Sequence, residues 1–126
     1  MKIVIDTSIL IDYLRGGKAW EEFLSSANED IELYLPTVVI FELFSGQSTR
    51  EPKKEEEILN FLNQFQKIEL NEDIAKRAGE IYRDTKVEIQ VPDYIVAASA
   101  LEVNGAVLTL NTKHFRNING VKIYPV

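Results

Sequence analysis

Two hydrophobic rhythms alternate along this chain, and the places where one gives way to the other mark strands followed by helices. Ile3-Val4-Ile5 is a short branched apolar run that stops on Asp6, the pattern of a buried strand. Ile9, Leu10, Tyr13 and Leu14 then recur at helical spacing, so Asp6 is predicted at the carboxyl end of a strand, on the turn into a helix. Gly16-Gly17 breaks that helix, and Trp20, Phe23 and Leu24 predict a second short one. Asn28-Glu29-Asp30 predicts a turn, after which Ile31, Leu33 and Leu35 alternate towards Pro36 as a strand. Pro36-Thr37 opens a helix, proline being favoured at the first helical position. That helix, 38–46, is apolar nearly all round, which predicts burial.

Glu51-Pro52 starts the next helix, with Ile58, Leu59, Leu62 and Phe65 on one face and the run of charges at 53–57 on the solvated side. Residues 67–70 suggest a strand, and residues 71–86 a helix with Ile74, Ala78, Ile81 and Tyr82 turned inward. Val91-Pro92-Asp93 opens an Ala-rich helix that closes near Asn104-Gly105. A second apolar strand at 106–110, an exit loop at 111–115 and an edge strand at 121–124 complete the chain. Strands alternating with helices imply a mainly parallel sheet covered on both faces. The predicted fold is therefore a three-layer α/β/α sandwich, with residues 1–126 forming one domain.

Composition narrows the function classes. A chain of 126 residues with 45% apolar content can bury one core. No apolar run is long enough to cross a bilayer, and the absence of cysteine excludes a disulfide framework and thiolate metal sites. A cytoplasmic protein with no membrane partner is expected. A net charge of −6 argues against a passive nucleic-acid binder, which would present a basic surface. It leaves open an enzyme that reaches phosphate through metal ions held on its own carboxylates.

Three carboxylates require an explanation. Glu42 is the sole charge in an otherwise apolar helix, where an ionised acid is costly unless it is paired, hydrogen-bonded or metal-bound. An ion pair with a distant Arg or Lys and membership of an acidic pocket both satisfy that condition. Asp6 serves either as a helix cap or as a ligand at the sheet edge. Asp93 is either a favourable charge in a first helical turn or a member of the same pocket. Acids brought together repel one another, and hard divalent ions such as Mg²⁺ or Mn²⁺ relieve that repulsion through oxygen ligands. Two other acidic pockets fit less well. A haloacid-dehalogenase-like site needs a second Asp where Ser8 stands. A response-regulator receiver needs a phospho-accepting Asp after a middle strand, where Pro36-Thr37 follows instead.

Asp6-Thr7-Ser8-Ile9-Leu10, Phe41-Glu42-Leu43 with Gly46, Pro92-Asp93-Tyr94-Ile95-Val96-Ala97-Ala98-Ser99-Ala100 and Leu108-Thr109-Leu110-Asn111-Thr112-Lys113-His114-Phe115 occur in that order. Together they resemble the PIN-domain ribonucleases, most closely the VapC-like toxins of type II toxin–antitoxin pairs, over essentially the whole chain. The resemblance implies a Mg²⁺- or Mn²⁺-dependent endoribonuclease that hydrolyses RNA phosphodiester bonds by metal-activated water. It implies Asp6, Glu42 and Asp93 as metal ligands, Asn111 as a further catalytic group, and Ser8 and Thr109 as polar residues lining the site. It also implies a homodimer and a cognate antitoxin seated in a groove; exposed parts of Trp20, Phe23, Phe61 or Phe65 are candidates for that surface, although core packing explains those aromatics more economically.

The chain departs from that family at two positions. Asn111 stands where a fourth acid is common, and His114 where an acid commonly precedes the Phe. Three carboxylates suffice for one ion, with a second depending on substrate oxygens. The departure also defines the alternative function, a catalytically weak PIN-like module that works through protein binding. His114 itself is expected to be a surface residue.

Overall fold

The computed structural model describes residues 1–27, 30–85 and 88–125. Asn28 and Glu29 of the expected turn, and Lys86 at the expected end of a helix, lie outside them. The elements run β1 (Lys2–Ile5), α1 (Thr7–Leu14), α2 (Ala19–Ser26), β2 (Glu32–Pro36), α3 (Thr37–Phe44), a 3-10 turn at Gln47–Arg50, and α4 (Pro52–Leu62). Then come β3 (Gln66–Ile68), α5 (Glu72–Asp84), α6 (Val91–Val103), β4 (Ala106–Leu108), α7 (Thr112–Arg116) and β5 (Lys122–Ile123).

All five strands are parallel, in the order β3-β2-β1-β4-β5. The α/β/α sandwich expected from the alternation is present. Its central strand, β1, carries Ile3, Val4 and Ile5 with no solvent exposure, as a parallel strand covered on both faces must. Burying each such side chain contributes about 1.5–3 kcal/mol. The chain leaves β1 for β2 on one side and later returns to β4 on the other. The carboxyl ends of β1 and β4 therefore form the topological switch point, where open α/β sheets leave a crevice for ligands.

Small residues let α6 lie close to the sheet, with Ala97, Ala98 and Ala100 all buried. Asn104 ends that helix in the left-handed conformation, at φ 57°. Gly105 follows where a Cβ would stand 3.0 Å from Val4 Cγ2 and 3.1 Å from the Lys2 carbonyl oxygen, so a larger residue would press on β1. Asn71 caps α5 by accepting a 2.9 Å hydrogen bond from the Ile74 backbone N–H.

Three expectations change. Helix α3 is not enclosed: Val39 and Leu43 face the core, while Phe41 is 69% exposed. The helix packs against α1, α6 and β2, so its other side chains are at least partly covered and Phe41 alone in this helix stands out into solvent. Tyr82 likewise points outward from α5, where its ring stacks edge-on to Tyr94. The segment after β4 is a short helix, α7, and not an open loop; five residues are too few to show a helical period.

Candidate active site

Asp6 follows β1 directly, and its backbone N–H donates to the Leu108 carbonyl at 3.0 Å, which extends the β1–β4 ladder by one bond. Its position is that of the α1 N-cap, yet its side chain makes no cap hydrogen bond. The carboxylate is instead gripped by hydroxyls. Ser8 Oγ donates to Asp6 Oδ2 at 2.9 Å and Thr109 Oγ1 donates to the same oxygen at 2.7 Å. Each hydroxyl in turn accepts a backbone N–H at 2.9 Å, Ser8 from Leu110 and Thr109 from Asn111. Asp6 is only 2% exposed, and this relay holds one of its oxygens while the other carries no hydrogen bond among the described residues.

Glu42 reaches the same place from α3. Thr7 Oγ1 donates to Glu42 Oε1 at 2.5 Å, so neighbouring residues of one turn orient two different acids. The sequence offered no sign of this role for Thr7, because it depends on how α1 and α3 are rotated against each other. The distant Arg or Lys that an ion-pair reading of Glu42 would require is absent among the described residues.

Asp93 comes from the first turn of α6, and its contact is with His114. Nδ1 of His114 lies 3.0 Å from Asp93 Oδ2, close enough for an ion pair but too poorly aligned for a hydrogen bond. His114 is thus more than the surface residue expected: α7 turns it inward so that Nδ1 is shielded from solvent. Asn111, at the start of α7, lines the pocket with an exposed side chain that makes no cap bond.

Asp6, Ser8, Glu42, Asp93, Asn111 and His114 all face one open pocket of about 780 Å³ at the switch point. Thr109 lies behind it as Asp6's buried donor. Asp12 also lines the pocket, but its Oδ2 accepts the Ala19 N–H at 3.1 Å and so braces the start of α2.

Burial raises the Glu42 pKa above the ordinary glutamate value; the Thr7 hydrogen bond opposes this, and the charges of Asp6 and Asp93 add to it. Burial also raises Asp93, the Asp6 charge adds to the rise, and His114 opposes it. A carboxyl whose pKa is higher in the folded state loses stability as pH rises from its unfolded pKa through its folded one. Metal-free Glu42→Gln is therefore expected to melt above the wild type at neutral pH. Its advantage should shrink as pH falls through the carboxylate range, where wild-type Glu42 takes up its proton. Thermal melts across that range check this, and a difference independent of pH would contradict it.

The donor set suits a hard divalent ion: the candidate ligands are carboxylate oxygens, and the pKa values of Glu42 and Asp93 are raised by burial first and by the Asp6 charge in addition. Among the described residues, no three acids or histidines lie close enough together to hold a metal ion by themselves. That spacing fits Mg²⁺-type binding, in which one or two carboxylates serve an ion that keeps several waters.

The PIN domain family pattern matches residues 3–121 of this sandwich and its acidic pocket. The chain belongs to the PIN domain family. Among its relatives, Ribonuclease VapC10 of Mycobacterium tuberculosis is 35% identical, over 90% of this chain and 85% of that protein. Ribonuclease VapC of Rickettsia bellii is 30% identical over 100% of this chain and 97% of that protein. A toxin-antitoxin complex from Klebsiella pneumoniae contains a chain that superposes with a TM-score of 0.77 at 26% identity, covering 94% of each. VapBC2 from Rickettsia felis, solved bound to a promoter DNA fragment, shares the fold at a TM-score of 0.82 and 21% identity, over 98% of this chain and 97% of that one.

Proposed function

We propose that this chain is the endoribonuclease toxin of a toxin–antitoxin pair, a single PIN domain that hydrolyses RNA phosphodiester bonds with Mg²⁺ or Mn²⁺. The observation that carries this reading is the meeting of Asp6, Glu42 and Asp93, from three separate elements, in one pocket at the switch point. Its relatives are VapC ribonucleases, and a toxin-antitoxin complex contains its fold.

Asp6 and Asp93 are the residues that would hold the ion, with Glu42 orienting its water or completing its shell. When bound, a divalent ion there lowers the pKa of water and offsets charge developing on phosphate. The protein's own part is positioning. Ser8 and Thr109 keep the Asp6 carboxylate in one rotamer, and Thr7 does the same for Glu42. Asn111 presents an uncommitted amide at the rim, suited to hydrogen-bond a substrate oxygen. His114 tempers the charge of Asp93.

A cognate antitoxin belongs to the same reading, given the toxin-antitoxin complex among the solved relatives. The aromatic residues considered for its seat are largely accounted for by core packing. Trp20, Phe23 and Phe65 are buried, and Trp20 packs against Phe23, Phe61 and Phe65 at ring separations of 5.3, 5.5 and 5.6 Å. A homodimer is proposed as well, supported by the exposed apolar residues Leu70, Tyr82 and Val91 along a groove between α5 and α6. No helix among the described residues is long and apolar enough to cross a membrane. We place the protein in the cytoplasm.

The second reading, a weakly catalytic protein-binding module, draws on Asn111 and His114, which stand in place of acids. Incubation of the purified protein with several structured RNAs separates the two. Cleavage with Mg²⁺ or Mn²⁺, abolished by chelator and restored by returning the metal, is expected. An absence of metal-dependent cleavage across those RNAs would favour the binding module.

A further inference from the structure

Beside the acidic pocket lies a second, of about 450 Å³, and the two share Ile11, Arg15 and Glu42. The two adjoin at those three residues, and the second extends from α1 to the start of α4. We infer that this second compartment is the track for the RNA strand beyond the scissile phosphate, with Arg15 at the junction and Lys54 at the far end binding its phosphates. The inference rests on the proposed ribonuclease reading and adds where the substrate lies.

The charge changes sign between the two compartments. The first compartment is lined by Asp6, Asp12, Glu42, Glu88 and Asp93, against which stand Arg15 and His114. In the second, Glu42 at the junction is the one acid among the described lining residues, and Arg15 and Lys54 are its cations. A polyanion approaching a chain of net charge −6 is repelled except where local cations receive it. A phosphate entering the acidic compartment needs a divalent ion, whereas the next phosphates need only these side chains.

Both cations are available. Arg15 caps α1 through its backbone N–H, which donates to the Ile11 and Asp12 carbonyls at 3.1 and 3.2 Å. Its exposed guanidinium makes no hydrogen bond or ion pair among the described residues. Its place at the carboxyl cap of α1 suits a cation, and its planar fork suits phosphate oxygens. Lys54 is half-buried and pairs with Glu57, its ammonium 3.7 Å from Oε2, a loose solvent-accessible i,i+3 ion pair that a phosphate can displace. The buried side chains of Leu43 and Ile58 border the same compartment and offer an apolar floor for ribose and base faces. A cationic partner peptide would favour the acidic compartment over this one, so the sign of the charge selects RNA.

The test compares Arg15→Gln, Lys54→Gln, their double variant and Arg15→Lys with the wild type. Each is assayed on a single-stranded oligoribonucleotide containing a site the wild type cuts, and on the dinucleotide of that site. On the oligonucleotide the double variant should raise KM about three- to tenfold, with kcat within about twofold. Binding measured in an Asp6→Asn background should lose about 0.7 from its log-salt slope for each cation removed, and Arg15→Lys should keep that slope. The rise in KM should be larger on the oligonucleotide than on the dinucleotide, which a merely structural role would not produce.

Intact cleavage with KM and salt slope unmoved would overturn the track, leave the ribonuclease reading standing and open the groove to a protein partner. Equal losses on both substrates would also overturn it. If the wild type cleaves no RNA, the ribonuclease reading falls, and the salt slope of oligonucleotide binding alone decides the groove.

Discussion

Asp6→Asn is expected to lower metal-dependent RNA cleavage at least about 100-fold, equivalent to about 2.7 kcal/mol of barrier, while leaving the fold intact. The two halves of that expectation come from different atoms. Asn retains a carbonyl oxygen that can accept the Ser8 and Thr109 hydroxyls, so the relay to the backbone of β4's exit survives. What is lost is the negative charge at a 2%-exposed position that also lifts the pKa of Glu42 and Asp93. Without metal the variant should be as stable as the wild type or more so, because a repulsive charge is gone. Saturating Mg²⁺ should then raise the wild-type melting temperature more than the variant's. Cleavage assays and paired melts with and without Mg²⁺ check both parts. Equal Mg²⁺-induced shifts in the two proteins would remove Asp6 from the metal site.

Phe115→Ala should cost about 3–5 kcal/mol of stability, a large share of the roughly 5–15 kcal/mol typical of a whole domain. Phe115 is fully buried, and it is the side chain through which the five-residue α7 is held to α6 and β5. So short a helix has almost no stability of its own. Removing the ring leaves a cavity and frees the helix that carries His114 to Asp93 and begins at Asn111. Denaturant unfolding should show a lower midpoint. Cleavage by the fraction that remains folded should fall as well, which distinguishes this variant from a core truncation far from the pocket, such as Ile74→Ala in α5. A midpoint within experimental error of the wild type would refute the anchoring role.

Much of this site was legible before any coordinates, for a simple reason. Asp6, Glu42 and Asp93 are charges set into apolar patterns, and burying a charge is expensive enough that its presence asks for a purpose. The runs 3–5 and 106–110 are short and apolar, so two buried strands could be read there, although the second stops at Leu108, where Thr109 turns to hold Asp6. Other features were hidden because they depend on relative rotation. Nothing in a single segment reveals that Thr7 serves Glu42 or that His114 meets Asp93. The outward side of α3 was misread because a helix with no polar face gives no clue to which side meets water, and Phe41 proved to be on that side.

The clamp on Asp6 also sets a schedule. Its two hydroxyl donors are separated by about a hundred positions of chain, Thr109 lying 103 residues after the acid it holds. During synthesis β1 can pair with β2 early, but its other edge stays open until β4 has left the ribosome. Until then Asp6 has no Thr109, no Leu108 carbonyl for its N–H and no α7 nearby. A nascent chain therefore cannot assemble the carboxylate pocket, and the ribosome producing it works beside an unfinished nuclease.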